Sequence, residues 1–334
     1  MDKSGRSGKV KKGLLIVITV ILAATVDAQQ LPIYSQYLYN RYLINPAIAG
    51  SDGYTSINLT TRQQWVGYEG APQTYSLGVQ TRLLKQKYLI RDNILNKKIF
   101  KPHTTGRVGL GANIFTDING LVRRTGFSTS YSYHLWLDGQ TQLSFGLALT
   151  GCFYKMDEGQ MQFEDPDEPW LNSDFRKGIF IPDFNFGVFL LNRKYSLGFS
   201  VLELMEGFAK IGSQAYDELK IERTYYLFGT YDFELDAKTI LQPSLLVKMS
   251  EQLRPQADIG LTYNYDRKFW IGATFRTGSA VIANVGVRKD KFYFGYSFDW
   301  TLQSIQRSTY GSHEFVMAIR FGDTARKFRW LDRY

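Results

Sequence analysis

Arg62, Arg107, Lys248, Arg276, Arg288 and Arg320 fall on the polar side of alternating segments, with Asp258 and Glu314 among the opposite charges. Two chemistries fit such a set. The cations can line a passage that binds or conducts anions, or they can pair with the carboxylates and fill a closed interior. His134 among serines, and the His313-Glu314 pair, invite comparison with a hydrolase, but a nucleophile, a base and its orienting partner are needed together. No third group marks such a triad, so no enzyme is expected. With 3 His and 1 Cys in 334 residues, a His- or Cys-based metal centre is not expected, and no cofactor is. Residues 157–174 are rich in Asp and Glu but lack the fixed spacing of a calcium loop, and they read as a solvated loop. Cys152 reads as an inert small residue on a strand.

The elements that carry these residues alternate with period two. Phe292, Phe294, Tyr296, Phe298 and Trp300 share one face, opposite Tyr293, Gly295, Ser297 and Asp299. Leu143, Phe145, Leu147 and Leu149 alternate likewise with Gln142, Ser144, Gly146 and Ala148. Such alternation marks strands with two chemically different faces. Fourteen strands are expected near 53–65, 71–83, 105–117, 122–138, 140–156, 182–192, 194–204, 222–236, 238–250, 255–266, 268–278, 280–289, 291–300 and 312–322. Most run about ten residues or more, the length a tilted strand needs to cross a bilayer. Alternate connections are tight and polar, such as Asp138-Gly139, Asn192-Arg193 and Lys289-Asp290, whereas 157–181, 205–221 and 301–311 are long. Short periplasmic turns and longer outer loops are the rule in outer-membrane barrels. The expectation is an all-β transmembrane antiparallel barrel of 14 strands over residues 53–322, with both termini periplasmic. The Lys-rich connection 84–104 breaks the rule of short turns and is a candidate interaction element or a mobile loop.

Composition is compatible with this reading. Aromatic residues make up 15% of the chain, Gly numbers 30 and Pro only 9. Mean hydropathy of −0.24 resembles a soluble protein, because averaging cancels the two faces of each strand. Trp65 and Trp300 are candidates for the aromatic girdles at the lipid–water interfaces. Inward glycines such as Gly109, Gly111, Gly146, Gly198, Gly260 and Gly286 leave room inside, which keeps an open channel in view. At the front, Lys3, Arg6, Lys9, Lys11 and Lys12 precede an apolar run from Leu14 to Val26, which ends at Val26-Asp27-Ala28. This is the pattern of a secretory signal peptide over 1–28. Its removal takes away five cations and two anions, lowering the net charge from +9 to about +6. No nucleic-acid partner is expected. Residues 29–52 then form an N-terminal periplasmic or lumenal segment, and 323–334 a periplasmic tail.

The segment after the signal does not alternate. Gln29-Gln30 is followed by Tyr34-Ser35-Gln36-Tyr37-Leu38-Tyr39-Asn40, then by Ile44-Asn45-Pro46-Ala47-Ile48-Ala49-Gly50. Arg62-Gln63-Gln64-Trp65-Val66-Gly67 and Glu69-Gly70-Ala71-Pro72 close the first hairpin, and Gly311-Ser312-His313-Glu314 precedes the last strand. In these stretches the sequence resembles the PorP/SprF family, outer-membrane proteins of the type IX secretion system of Bacteroidota. The resemblance spans essentially the whole chain after residue 28. It implies a non-enzymatic barrel in the bacterial outer membrane that serves secretion or gliding. One branch of the family associates with a periplasmic ring and a peptidoglycan-binding lipoprotein. The other retains a large adhesin-type secreted protein at the cell surface through that protein's C-terminal domain. The family offers no catalytic residues to carry over. Tyr34, Gln36, Tyr37, Asn40, Asn45, Pro46, Gly50, Arg62, Trp65, Gly67, Gly70 and Pro72 are therefore read as architectural or partner-facing. Arg107, Arg276, Arg288 and Arg320 are read as lumenal. The alternative is an outer-membrane diffusion channel for small or hydrophobic solutes.

Overall fold

The computed structural model describes residues 34–91, 99–137, 140–156, 178–205, 221–251 and 255–322; over 84–91 and 99–106 it describes the backbone alone. Fourteen antiparallel strands close into a barrel. They are β1 Thr55–Gln63, β2 Gln73–Arg91, β3 Ile99–Asn119, β4 Val122–Trp136, β5 Thr141–Met156, β6 Ile179–Asn192 and β7 Tyr195–Leu202. β8 is Thr224–Tyr231, resumed at Phe233–Glu234, and is followed by β9 Thr239–Ser250, β10 Gln256–Tyr265 and β11 Phe269–Arg276. The last three are β12 Ala280–Lys289, β13 Phe292–Thr301 and β14 Ser312–Phe321. Each strand pairs with its sequence neighbours, and β1 closes on β14 from Thr55↔Phe321 to Gln63↔His313. Closure satisfies the backbone of the first and last strands, as a hydrocarbon surrounding demands.

The two faces are opposite in character, and both follow from the alternation. Leu59, Leu77, Ile114, Phe145, Leu147, Leu197, Ile259, Ile271, Phe294 and Trp300 all point out and are exposed. Such a band is unsustainable in water and suits lipid. Ser56, Asn58, Thr60, Ser132, Ser144, Ser196, Thr262 and Ser297 point in and are buried. β6, β8 and β9 are apolar on the inner side too, through Phe189, Leu191, Phe228 and Leu246.

The barrel has a turn end and a loop end. At the turn end, β6–β7 and β12–β13 are joined by 193–194 and 290–291, while the loop end carries 64–72, 157–178, 203–223 and 302–311. Thr55 and Phe321 meet at the turn end. The connection expected at 84–104 is instead largely strand. β2 and β3 continue together as a ribbon from Lys85↔Thr105 to Arg91↔Ile99, past the last barrel partners of each. The signal sequence, the acidic run 157–174 and the tail 323–334 lie outside the described residues.

Candidate functional site: the packed lumen and its loop-end mouth

Residues 34–54 occupy the barrel interior. They do so as irregular chain with two 3-10 turns, Arg41–Leu43 and Pro46–Ile48. Their side chains touch strands around the whole circumference. Asn40 Nδ2 donates to Thr60 Oγ1 of β1 at 3.1 Å, Tyr42 OH meets Ser130 Oγ of β4 at 2.9 Å, and Arg41 Nη1 donates to Ser196 Oγ of β7 at 2.9 Å. Tyr39 stacks on Trp270 of β11 with ring centroids 4.4 Å apart. Tyr37, Ile44, Ala47 and Ile48 pack on Phe189, Leu191, Phe228 and Leu246, which explains the apolar inner face of those strands.

Three anchors fix this plug. The first is ionic. Glu314 accepts the Ser35 N–H at Oε2 (2.7 Å) and the Gln36 N–H at Oε1 (2.9 Å), while Asp299 accepts Ser35 Oγ–H at 2.6 Å. Arg62 bridges Asp299 at 2.7 Å and Glu314 at 3.0 Å, and Arg276 pairs with Asp258 at 2.8 Å. Two guanidinium groups thus engage three carboxylates, all almost wholly buried. The second anchor is Asn45, which is 0% exposed. Its Nδ2 donates to the carbonyls of Val188 (3.0 Å) and Phe199 (3.2 Å), and its Oδ1 accepts the Ala47 N–H at 2.9 Å, capping the turn that Pro46 begins. The third is the Ala49 carbonyl, which accepts Ser132 Oγ–H at 2.6 Å and lies 3.0 Å from His134 Nε2. A carbonyl only accepts, so the His134 proton sits on Nε2 and Nδ1 accepts from Ser144 Oγ at 2.7 Å. His134 therefore spends Nε2 on the plug and Nδ1 on the neighbouring strand β5.

The inward glycines make the space this segment uses. A Cβ at Gly109 would overlap the Ala49 carbonyl, at Gly146 the Ala47 backbone, and at Gly187 the Asn45 amide. Gly198 and Gly286 instead accommodate Phe228 and Trp270. Gly50, at φ +65 and beside the Thr81 carbonyl, turns the chain out of the lumen toward β1.

The sequence-derived residues divide cleanly by place. Gln36, Tyr37, Asn40, Asn45, Pro46, Gly50 and Arg62 are buried in the lumen, and Tyr34 is half-buried near its loop end. Trp65, Gly67, Gly70 and Pro72 lie in the first loop, which pairs with the last one through Val66 N–H to Gly311 O at 2.9 Å and Tyr310 N–H to Val66 O at 2.8 Å. Gly67, at φ +95, lies under the Tyr310 ring. Trp65 is thus a half-buried loop residue, while Trp300 is exposed on the outer face. Arg276 is lumenal; Arg288 and Arg320 are half-buried and flank the Tyr293 ring at 5.1 and 4.3 Å. Arg107 departs from its expected lumenal position. It is exposed and donates to Tyr133 OH at 3.5 Å. The register shift between Leu83 and Lys85 sets one residue of β2 against two of β3, and such a bulge re-aims the neighbouring side chain. His313 and Glu314 point to opposite faces, with His313 Nδ1 at 2.8 Å from Tyr296 OH.

Sequence reading passed over Arg124 of β4 and Glu203, which follows β7. They form an ion pair of 2.8 Å at the loop end, beside a cavity of about 100 Å3 floored by Tyr34, Tyr42 and Ile44. Inward parity alone would have placed Arg124 there; nothing in the local sequence marks Glu203.

The family model for the type IX secretion system membrane protein PorP/SprF matches residues 26–319. The chain belongs to the PorP/SprF family. Its lipid-suited outer face and closed strand topology agree with that family's description as membrane proteins, and the chain is an outer-membrane barrel. No curated protein matches it. Among solved structures it is similar to Omp33 of Acinetobacter baumannii, at 7% identity and a TM-score of 0.43, covering 81% of this chain and 100% of that one. The KdgM porin follows at 9% identity and 0.33, covering 80% and 98%. CdiB of Acinetobacter baumannii is similar at 10% and 0.39, covering 80% and 60%.

Proposed function

We propose that this PorP/SprF barrel is a closed, non-enzymatic docking platform of the type IX secretion and gliding machinery. In this reading the turn end faces the periplasm, residues 1–28 are removed on export, and the barrel holds a secreted protein or machine components so as to support export and surface attachment. The partners are a large adhesin-type protein bound through its C-terminal domain, or the periplasmic ring and a peptidoglycan-binding lipoprotein. The observation that carries the reading is the lumen filled by residues 34–54. A diffusion channel needs a continuous water path, whereas inward polar groups such as Thr60, Ser130, Ser132 and Ser196 bond to the plug segment instead. The test is conductance together with recovery from native membranes. Liposomes bearing the full mature chain are expected to show no steady conductance, whereas deletion of 34–50 opens a pore. Affinity purification is expected to recover a large exported protein or ring components in near-stoichiometric amount. Porin-like conductance of the intact chain, with no partner recovered, overturns the proposal.

A further inference from the structure

Three observations converge on the ribbon that β2 and β3 form beyond the barrel at its turn end. First, both edges of the ribbon lack a neighbouring strand among the described residues. The pairing of β1 with β2 stops at Gln80 and that of β3 with β4 at Val108, whereas β2 and β3 stay paired to Arg91↔Ile99. An open edge is a row of unpaired N–H and C=O groups, and a two-stranded ribbon is marginal in water until a further strand or surface covers it. Second, the two edges are not equivalent. β3 carries Pro102 opposite Tyr88. A proline costs the ladder no bond only where its nitrogen faces away from the partner strand, so Pro102 sits on the outer edge of β3 and blunts it. In an antiparallel pair the residue opposite then also turns its N–H and C=O outward. That places the backbone of Tyr88, and by parity of Gln86 and Ile90, on the open edge of β2. Third, the ribbon is basic. Residues 84–91 and 99–106 hold Lys85, Lys87, Arg91 and Lys101 and no Asp or Glu, against a net charge of about +6 for the whole chain after residue 28. By register Lys85, Lys87 and Arg91 share one face with Lys101, while Tyr88 and Ile90 share the other with Phe100 and Pro102.

We propose that the β2 edge of this ribbon takes up an acidic, extended segment of a periplasmic protein as a third strand, bonded to the backbone of Gln86, Tyr88 and Ile90 and drawn there by the ribbon's cations. In this mode of recognition main-chain bonds on an open edge supply affinity, and the side chains of alternate residues supply selectivity. The acidic strand must come from another molecule. The chain's own acidic run, 157–174, belongs to a connection at the loop end, on the opposite side of the barrel. The tail 323–334 is itself net basic, and a second copy of the ribbon would set lysine against lysine. Anionic lipid headgroups match the charge but offer the open edge no row of alternating donors and acceptors. The assignment rests on the periplasmic turn end and the docking function proposed above, and it names a contact for them.

The test places a small aliphatic diazirine side chain at Gln86, on the β2 edge, and separately at its cross-strand partner Thr104, on the β3 edge. The full chain is expressed in the native cell and irradiated, and adducts are mapped by mass spectrometry. An added strand would lie about 5 Å from Gln86 and about 10 Å from Thr104. Gln86 is therefore expected to yield adducts to an acidic stretch of one periplasmic protein, and Thr104 few. The Gln86 yield should fall about tenfold in the double variant Lys85→Gln, Lys87→Gln, and in Tyr88→Pro, which removes an edge donor without cutting a β2–β3 bond. Thr104→Pro, which puts a proline on the other edge of the same ribbon, should leave the yield unchanged. Heat-modifiable gel migration reads barrel integrity throughout, so a folding failure in either proline variant leaves the lysine variant to decide. Equal loss in two folded proline variants, or no loss in the lysine variant, overturns the edge assignment. So do adducts that map only to lipid, to 323–334 or to a second copy. If Gln86 yields none while affinity purification still recovers a partner, the ribbon assignment falls and the docking function stands; if neither is seen, both fall.

Discussion

Asn45 carries more of the plug's specificity than its size suggests. Its amide satisfies two strand carbonyls and one plug N–H at once, so every strong bond it makes crosses or caps the lumenal turn. Asn45→Asp keeps the shape but removes both donors and sets a negative charge against the Val188 and Phe199 carbonyls. Loss of a buried hydrogen-bond group of this kind costs about 1–3 kcal/mol, and more when charged. The expected outcome is a barrel that still assembles but conducts in liposomes, because the plug no longer seats. Gly109→Val should act in the same direction by steric overlap with the Ala49 carbonyl, whereas a substitution at exposed Leu59 should not. The sequence made Asn45-Pro46 conspicuous as a break in alternation. It could not show that the acceptors were carbonyls on β6 and β7, because those contacts join residues more than 140 positions apart. The inward glycines were legible as space, but only the fold shows that the protein's own chain fills it.

Strands were the most legible elements, because lipid outside and polar groups inside impose period two on nearly every one of them. The expected and observed strands agree within a few residues except at β2 and β3, which continue as a two-stranded ribbon past their last barrel partners. β6 was harder to read by face, since Phe189 and Leu191 point inward onto the plug. Turn chemistry accounts for the tight connections. Asp266 and Arg267 both take positive φ, near 50° and 53°, as a primed hairpin turn requires. In the β8–β9 turn, Asp236 Oδ1 accepts the Lys238 N–H at 2.7 Å and the Thr239 N–H at 2.8 Å, and these bonds hold its carboxyl below the usual range. A depressed folded value means the carboxylate supports the turn above the unfolded value and loses that support as pH falls through the folded one. Amide exchange at Lys238 and Thr239, corrected for intrinsic pH dependence, should therefore show protection that declines in acid. Asp236→Asn, which retains an acceptor oxygen but does not titrate, should flatten that dependence; an unchanged decline would rule out the carboxylate as its source.

At the scale of the whole molecule, the plug gives the chain a polarity that strand counting misses. An even number of strands brings Thr55 and Phe321 together at the turn end, and from the sequence this implied that both termini share one side. The segment before Thr55, however, runs back through the lumen. Ala49 lies beside Ser132 and His134, toward the turn end of β4, while Ser35 lies on Arg62, Asp299 and Glu314, within three residues of the loop ends of their strands. Tyr34 lines the loop-end cavity. If cleavage follows Ala28, residues 29–33 extend at most about 17 Å from Tyr34. That length is too short to return through a lumen some 30 Å deep, filled by the chain it would have to pass. The new N-terminus is then expected at the loop-end mouth, on the opposite side from the end of β14. The check is a short epitope inserted after Gln30, compared in intact cells with the same epitope after Gly322. A membrane-impermeant antibody should label the first and reach the second only after permeabilisation, with unchanged heat-modifiable migration showing that the barrel is intact. Labelling of both only after permeabilisation would mean that the plug enters from the periplasmic side, contrary to the threading set by Ser35 and Ala49.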